Sequence, residues 1–133
     1  MMVGDIIGDM IIRLKNAGVV GKKEVEMPYS KLRHAVADKL VAAGYIEKAE
    51  QQGKRDKVQK TLVVTLKYED GRHRIDGVKR ISKPGRRLYT KVANIHKVKF
   101  GKGHMILSTP AGILTNEEAK AKNVGGEQLF IIW

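Results

Sequence analysis

The residues that could act on a ligand are mostly cationic and cluster in the second half of the chain. Lys79, Arg80, Lys83, Arg86 and Arg87 flank a Pro84-Gly85 pair, and Tyr89 follows closely. Long cations beside a turn can reach a polyanion backbone, and a flat ring next to them offers a stacking surface for a base or ribose. Tyr89 suits a core or sheet-edge position with a bonded hydroxyl equally well, so both roles stay open at this point. Ser108 and Thr109 precede Pro110-Ala111-Gly112. Short hydroxyls and free amides at such a corner either meet 2′-hydroxyls and base edges in the shallow minor groove of RNA or serve ordinary turn chemistry. Gly125-Gly126-Glu127 reads as another turn, a helix stop or a place where backbone approaches a ligand closely.

No catalytic constellation accompanies them. His34, His73, His96 and His104 show no i,i+4 pairing of the kind that holds a metal on a helix, and the absence of cysteine removes thiolate ligands, disulfides and cysteine nucleophiles together. Glu117-Glu118 is a carboxylate pair, but its place at a helix start suits the macrodipole and a cap. Gly101-Lys102-Gly103 lacks the GxxxxGK[ST] spacing of a phosphate loop, and Ser108 sits in no G-x-S-x-G elbow. The expectation is a protein that is not an enzyme and takes neither cofactor nor metal.

Charge strengthens the polyanion reading. The chain has 26 Lys and Arg against 14 Asp and Glu, a net +12. Residues 1–76 are nearly balanced, whereas residues 77–116 hold nine basic groups and no acid. Clustered cations gain affinity for nucleic acid by releasing counterions condensed on phosphates. A solvated basic face is the plainer alternative. An anionic membrane suits the pattern poorly, because the cations do not fall along one amphipathic helix. No apolar run reaches the roughly 18 residues needed to cross a bilayer, and the first residues lack the basic region of a secretory signal. A cytoplasmic location is expected.

The elements that must position these groups follow from periodicity. Residues 5–17 predict a helix capped by Asp5, with Ile6, Ile7, Met10, Ile11, Leu14 and Ala17 on one face and Gly18 as its stop. Lys23 to Met27 alternates as a strand, and Ser30 caps a helix over 31–43 that ends at Gly44. Tyr45 to Ala49 is a strand, Glu50 to Lys57 a hairpin tip, and Gln59 to Tyr68 a strand with Leu62, Val64, Leu66 and Tyr68 inward. Asp70-Gly71 marks a tight turn. In the second half, Leu88 to Thr90 and Met105 to Leu107 predict strands, Val92 to Val98 a helical turn, and Thr115 with Glu118 a capping box. Gln128 to Trp133 closes as a strand. The fold class expected is α+β, or mixed α/β. Residues 1–72 form a helix-strand-helix-strand-strand lobe, and residues 73–133 a mostly β lobe with short helices.

These segments, in this order, resemble small-subunit ribosomal protein eight of the bacterial or organellar type. The resemblance rests on Asp5-Ile6-Ile7-Gly8-Asp9-Met10, Arg13 to Ala17, Pro28-Tyr29-Ser30-Lys31-Leu32, Arg80 to Gly85 and Leu88-Tyr89. Its most specific part is Ile106-Leu107-Ser108-Thr109-Pro110-Ala111-Gly112, then Thr115, Gly125-Gly126-Glu127 and Trp133. It implies two tightly packed lobes, with residues 73–133 the RNA-binding one, in a structural constituent of the small subunit that binds the central domain of the small-subunit rRNA and stabilises its fold during assembly. The site it implies, together with the basic turn, is Ser108, Thr109, Gly112, Gly125, Gly126, Glu127, Tyr89, Ser30, Lys31, Lys83, Arg86 and Arg87. Implied partners are that rRNA, neighbouring small-subunit proteins and, as in some family members, messenger RNA, on a cytoplasmic or organellar ribosome. A non-ribosomal RNA- or DNA-binding regulator is the rival reading. Pro110 stands where the family usually has serine, removing a hydroxyl and an amide donor. Ile6 replaces a proline, and Phe100, Lys102 and His104 replace Asn, Leu and Ile.

Overall fold

Apolar residues at three- and four-residue spacing give the first helix a continuous buried stripe of Ile7, Met10, Ile11, Leu14 and Ala17. The computed structural model describes residues 6–53, 60–98 and 102–133. Asp5, the expected cap of this helix, lies outside the described residues, as do Gln59, Phe100, Gly101 and residues 54–57 of the expected hairpin tip. The chain divides into two compact units, Asp9–Ile75 and Asp76–Trp133, the second also taking in residues up to Gly8. The architecture is mixed α+β, with antiparallel sheets throughout. Among the described residues, no helix is long and apolar enough to cross a membrane.

The helix α1 (Ile6–Val19) corrects one expectation, because Gly18 does not stop it. The stop is Gly21 at φ 78°, where Lys22 N–H donates to the Ala17 carbonyl (3.0 Å) and Gly21 N–H to that of Gly18 (3.2 Å). This is a Schellman closure, which needs a left-handed residue at its second-to-last position. Gly18 has another reason to be glycine: a methyl there would overlap the His73 ring.

In the same unit β1 (Glu24–Pro28), β2 (Ile46–Gln52) and β3 (Thr61–Leu66) pair in the order β1-β3-β2, and α2 (Lys31–Ala42) packs on β2 and β3. Gly44, at φ 88°, ends α2 as expected. β2 continues through Gln52, opposite Thr61, so the residues from Glu50 expected in a loop are strand. As the central strand, β3 is buried at every position from Leu62 to Leu66. The expected alternation at Thr65 is therefore overridden by its place between two partners. β4 (Tyr68–Glu69) and β5 (Arg72–His73) form a hairpin whose turn residues, Asp70 and Gly71, both have positive φ, as a type I′ turn requires.

The second unit is built around β10 (Gly126–Ile132). β8 (His104–Thr109) runs along one side of β10; β6 (Val78–Arg80) and β7 (Tyr89–Thr90) pair with opposite ends of its other side. β9 (Gly112–Thr115) extends the sheet beyond β8. Neither β6 nor β9 was foreseen, because one is three residues among cations and the other four residues inside a polar turn region. The expected helical turn shortens to a 3-10 turn, Val92–Asn94. Thr115 and Glu118 form the capping box of α3 (Asn116–Ala121): Glu118 N–H donates to Thr115 Oγ1 (3.2 Å), and Thr115 N–H to Glu118 Oε1 (3.1 Å). Ile95, Leu107, Leu114 and Ala119 make a core cluster on the side of the sheet covered by α3.

Candidate nucleic-acid interface

Side chains that stand directly opposite in an antiparallel ladder share a face. Tyr89 on β7 pairs with Glu127 on β10, and Glu127 pairs with Ser108 on β8. The three therefore form one row across three strands, spanning roughly 10 Å at the usual strand spacing. Tyr89 is 69% exposed. Its hydroxyl has no partner among the described residues, so the core or bonded-edge role is replaced by that of an open aromatic surface. Ser108 is half-buried, and its hydroxyl is likewise unpartnered among those residues.

The basic turn is anchored beside this row. Ser82, only 5% exposed, accepts from Leu88 N–H (2.9 Å) and donates to the Leu88 carbonyl (3.2 Å). Lys83 and Arg86 exchange both backbone hydrogen bonds at 2.9 Å, which leaves Pro84-Gly85 at the tip. Lys83, Arg86 and Arg87 all point to solvent-accessible surface. Arg87 turns toward the row and donates from Nη1 to Glu127 Oε2 at 3.1 Å. The acid in this basic region is thus held beside a cation. Its remaining lone pairs, with the Ser108 hydroxyl, suit it to accept from 2′-hydroxyls or base amino groups rather than to grip phosphate.

Gly125-Gly126-Glu127 is not the turn expected from its composition. Gly126 and Glu127 belong to β10, and Gly125 leads directly into it. Added methyls would collide with the Thr90 carbonyl at Gly125 and with the Ser108 carbonyl at Gly126. These glycines let β10 lie close against β7 and β8, and so set the row's spacing. Next to Ser108, the chain reverses through Pro110-Ala111, with Thr109 opposite Gly112. Thr109 Oγ1 donates to the Gly112 carbonyl (2.8 Å) and accepts from Ala111 N–H (3.1 Å), so its hydroxyl chiefly shapes the hairpin. Gly112 takes φ 110°, a conformation that glycine adopts without strain.

The other unit holds Ser30 and Lys31. Ser30 Oγ accepts from Arg33 N–H at 3.0 Å as the cap of α2, and Lys31 is exposed in that helix's first turn. The structure thus joins Tyr89, Glu127, Ser108 and Arg87 in direct sequence of contacts, with Thr109, Gly112, Gly125 and Gly126 shaping the backbone around them.

The whole described chain bears a family likeness. Residues 5–133 match the family model described as Ribosomal protein S8. The chain is 43% identical over 133 residues to the small ribosomal subunit protein uS8 of Mycoplasmopsis synoviae, with all of both chains covered. It is 47% identical over 135 residues to the protein of that name from Nocardioides sp., and 46% over 134 residues to that from Kocuria rhizophila, again with full coverage. The chain belongs to the ribosomal protein S8 family. It is accordingly a small-subunit ribosomal protein rather than an enzyme, as the sequence led us to expect.

Two residues that position this S8 site were not singled out from sequence. Ser82 ties the base of the cationic turn, and a single serine among Arg and Lys gives no periodic signal of burial. Asn116, 4% exposed, accepts from Met105 N–H (3.2 Å) and donates to the His96 carbonyl (3.3 Å), fixing the segment after the 3-10 turn to β8. Its place just after a capping threonine was the available clue, since an amide there is well placed for local hydrogen bonds.

Proposed function

We propose that this S8-family chain binds small-subunit rRNA directly through the Tyr89–Glu127–Ser108 row and the basic turn at Lys83, Arg86 and Arg87. The observation that carries this reading is the row itself: an exposed ring, a hydroxyl unpartnered among the described residues and a half-neutralised carboxylate aligned on three adjacent strands, beside the exposed cations Lys83 and Arg86, which make no ion pair among those residues. The cations set position on the phosphate backbone, while the row and the Thr109–Gly112 hairpin read an irregular minor-groove surface. Residues 73–133 act as the RNA-binding lobe, and Ser30 with Lys31, in the lobe 1–72, adds backbone contact through the start of α2. The target is the central domain, whose fold the protein stabilises during assembly, alongside neighbouring small-subunit proteins on a cytoplasmic ribosome. Messenger RNA with the same local shape is a further ligand.

The test is a set of binding isotherms against a central-domain rRNA fragment and a random RNA duplex of equal length. The fragment should bind far more tightly. With about six phosphates neutralised, its affinity should fall on the order of a thousandfold between 50 and 200 mM salt. Equal affinity for both RNAs, or an isotherm indifferent to salt, overturns the reading.

A further inference from the structure

A basic concavity lies beside the row, floored by side chains on the opposite face of the same sheet. Side chains alternate along β8, so Met105, three residues from Ser108, faces away from the row. Met105 pairs with Ile131 on β10, and Ile131 with Lys79 on β6, giving a second row of one apolar, one apolar and one cationic residue. Around it opens a cavity of about 820 Å³ that Lys91, Lys97, Trp133 and Tyr89, itself a member of the row, also line. This volume falls within the range of small-ligand sites. Lys79, Lys91 and Lys97 are exposed and make no ion pair among the described residues, and no described lining residue is acidic. The Trp133 ring is seated on Gly77, where any methyl would strike it, and the Trp133 backbone is bonded to Gly77 in both directions (3.1 Å each). Asn116 holds the segment that carries Lys97 against β8. Three cations over an apolar and aromatic floor, fixed by the sheet, match a ligand that is anionic at one end and flat at the other.

We propose that this cavity takes one unpaired nucleotide of an RNA strand, its phosphate held by Lys79, Lys91 and Lys97 and its base laid on the Met105–Ile131 floor beside Trp133. The inference rests on the partner being RNA, as in the proposed function, but places a contact beyond Ser108 and Glu127, in a cavity whose lining shares Tyr89 alone with the row. A backbone phosphate gains from the lysines, and any base has a face for the floor, so the contact should tolerate sequence.

Trp133 is the single tryptophan and lines the cavity, so its emission reports occupancy. The full-length protein would be titrated at low salt with a single-stranded RNA tetranucleotide, with inorganic phosphate, and with a tetraglutamate peptide. A saturable change of Trp133 emission is expected with the tetranucleotide alone. In a Lys79→Ala/Lys97→Ala variant with unchanged melting temperature, its affinity should fall tenfold or more. Losing neutralisation of that one phosphate should also lower the salt slope, by about 0.7 at most. An unchanged emission, an equal response to phosphate or peptide, or identical isotherms for the variant and the parent protein would each overturn the proposal. The central-domain fragment, titrated in parallel, separates the two readings. Fragment binding without a tetranucleotide response removes the cavity alone, and a tetranucleotide response without preference for the fragment removes the Ser108 row alone.

Discussion

The glycines on the two sides of Ser108 are required for different reasons. Gly112, past the hairpin, has open space around the position of a side chain but a backbone at φ 110°. Gly126, across the ladder on β10, has ordinary strand geometry but the Ser108 carbonyl where a methyl would go. One glycine answers a dihedral demand, the other a demand for space. The distinction matters because only the second sets how closely β8 and β10 approach, and hence where Glu127 stands relative to Ser108. A hairpin error moves a loop; a strand error displaces the row.

The largest effect should therefore come from Gly126. Gly126→Ala forces a methyl against backbone that cannot rotate away, and should lower stability by about 3 kcal/mol. Gly126→Val should be worse, because the cost here grows with volume. Both should also weaken binding to the rRNA fragment beyond what lost stability explains, measured at a temperature where the variants remain folded. Denaturant melts of the alanine variant that matched the parent protein would break the spatial account.

Gly112→Ala comes next, at about 2 kcal/mol for holding an L-residue in that backbone conformation. Its signature is indifference to size: Ala, Ser and Leu at 112 should cost nearly the same, since nothing lies within 4 Å of the added atom. A steep dependence on size at 112, or a flat one at 126, would show that the two roles are assigned the wrong way round.

Sequence patterns conveyed one of these roles and hid the other. A glycine closing Pro110-Ala111-Gly112 reads as turn chemistry, and it is. Gly125-Gly126-Glu127 reads as a turn for the same compositional reason, yet it opens the central strand of the sheet, because close approach to Thr90 and Ser108 is a tertiary fact that local composition does not carry. Gly18 was misread in the same way: it resembles a helix stop but makes room for His73, while Gly21 performs the stop. Where the determinant was local, the reading was sound. The capping box of Thr115 and Glu118, the Ser30 cap and the Asp70-Gly71 turn all appear with their expected partners or dihedrals. The candidate residues could be named as a set from family resemblance and charge, but their alignment in one row could not, because it depends on the registers of three strands that are distant in sequence.

Ser108 sharpens the comparison from between the glycines. Its hydroxyl is unpartnered among the described residues, so Ser108→Ala should leave the melting temperature nearly unchanged, within about 0.5 kcal/mol. Binding of the fragment should fall about tenfold, the worth of one hydrogen bond that is left unmade at a buried interface. A stability loss without a binding loss would assign the hydroxyl to the fold.

The smallest effect belongs to Arg87. Its bond to Glu127 is half exposed on the arginine side, and exposed ion pairs contribute about 0–1 kcal/mol. Arg87→Ala should thus barely change stability. It also removes the cation that offsets Glu127, so in the proposed RNA site the carboxylate would stand uncompensated against a polyanion. If Arg87 contacts one phosphate as well, the salt slope of fragment binding should decrease by about 1, and affinity should fall severalfold at low salt but little at high salt. Arg87→Ala/Glu127→Gln then decides between the two contributions. Restored affinity with the reduced slope retained shows that Arg87 both neutralises Glu127 and touches backbone. Restoration of the slope as well would show that its whole effect runs through the carboxylate, and the row would then read its ligand by hydrogen bonding without a phosphate contact from that side chain.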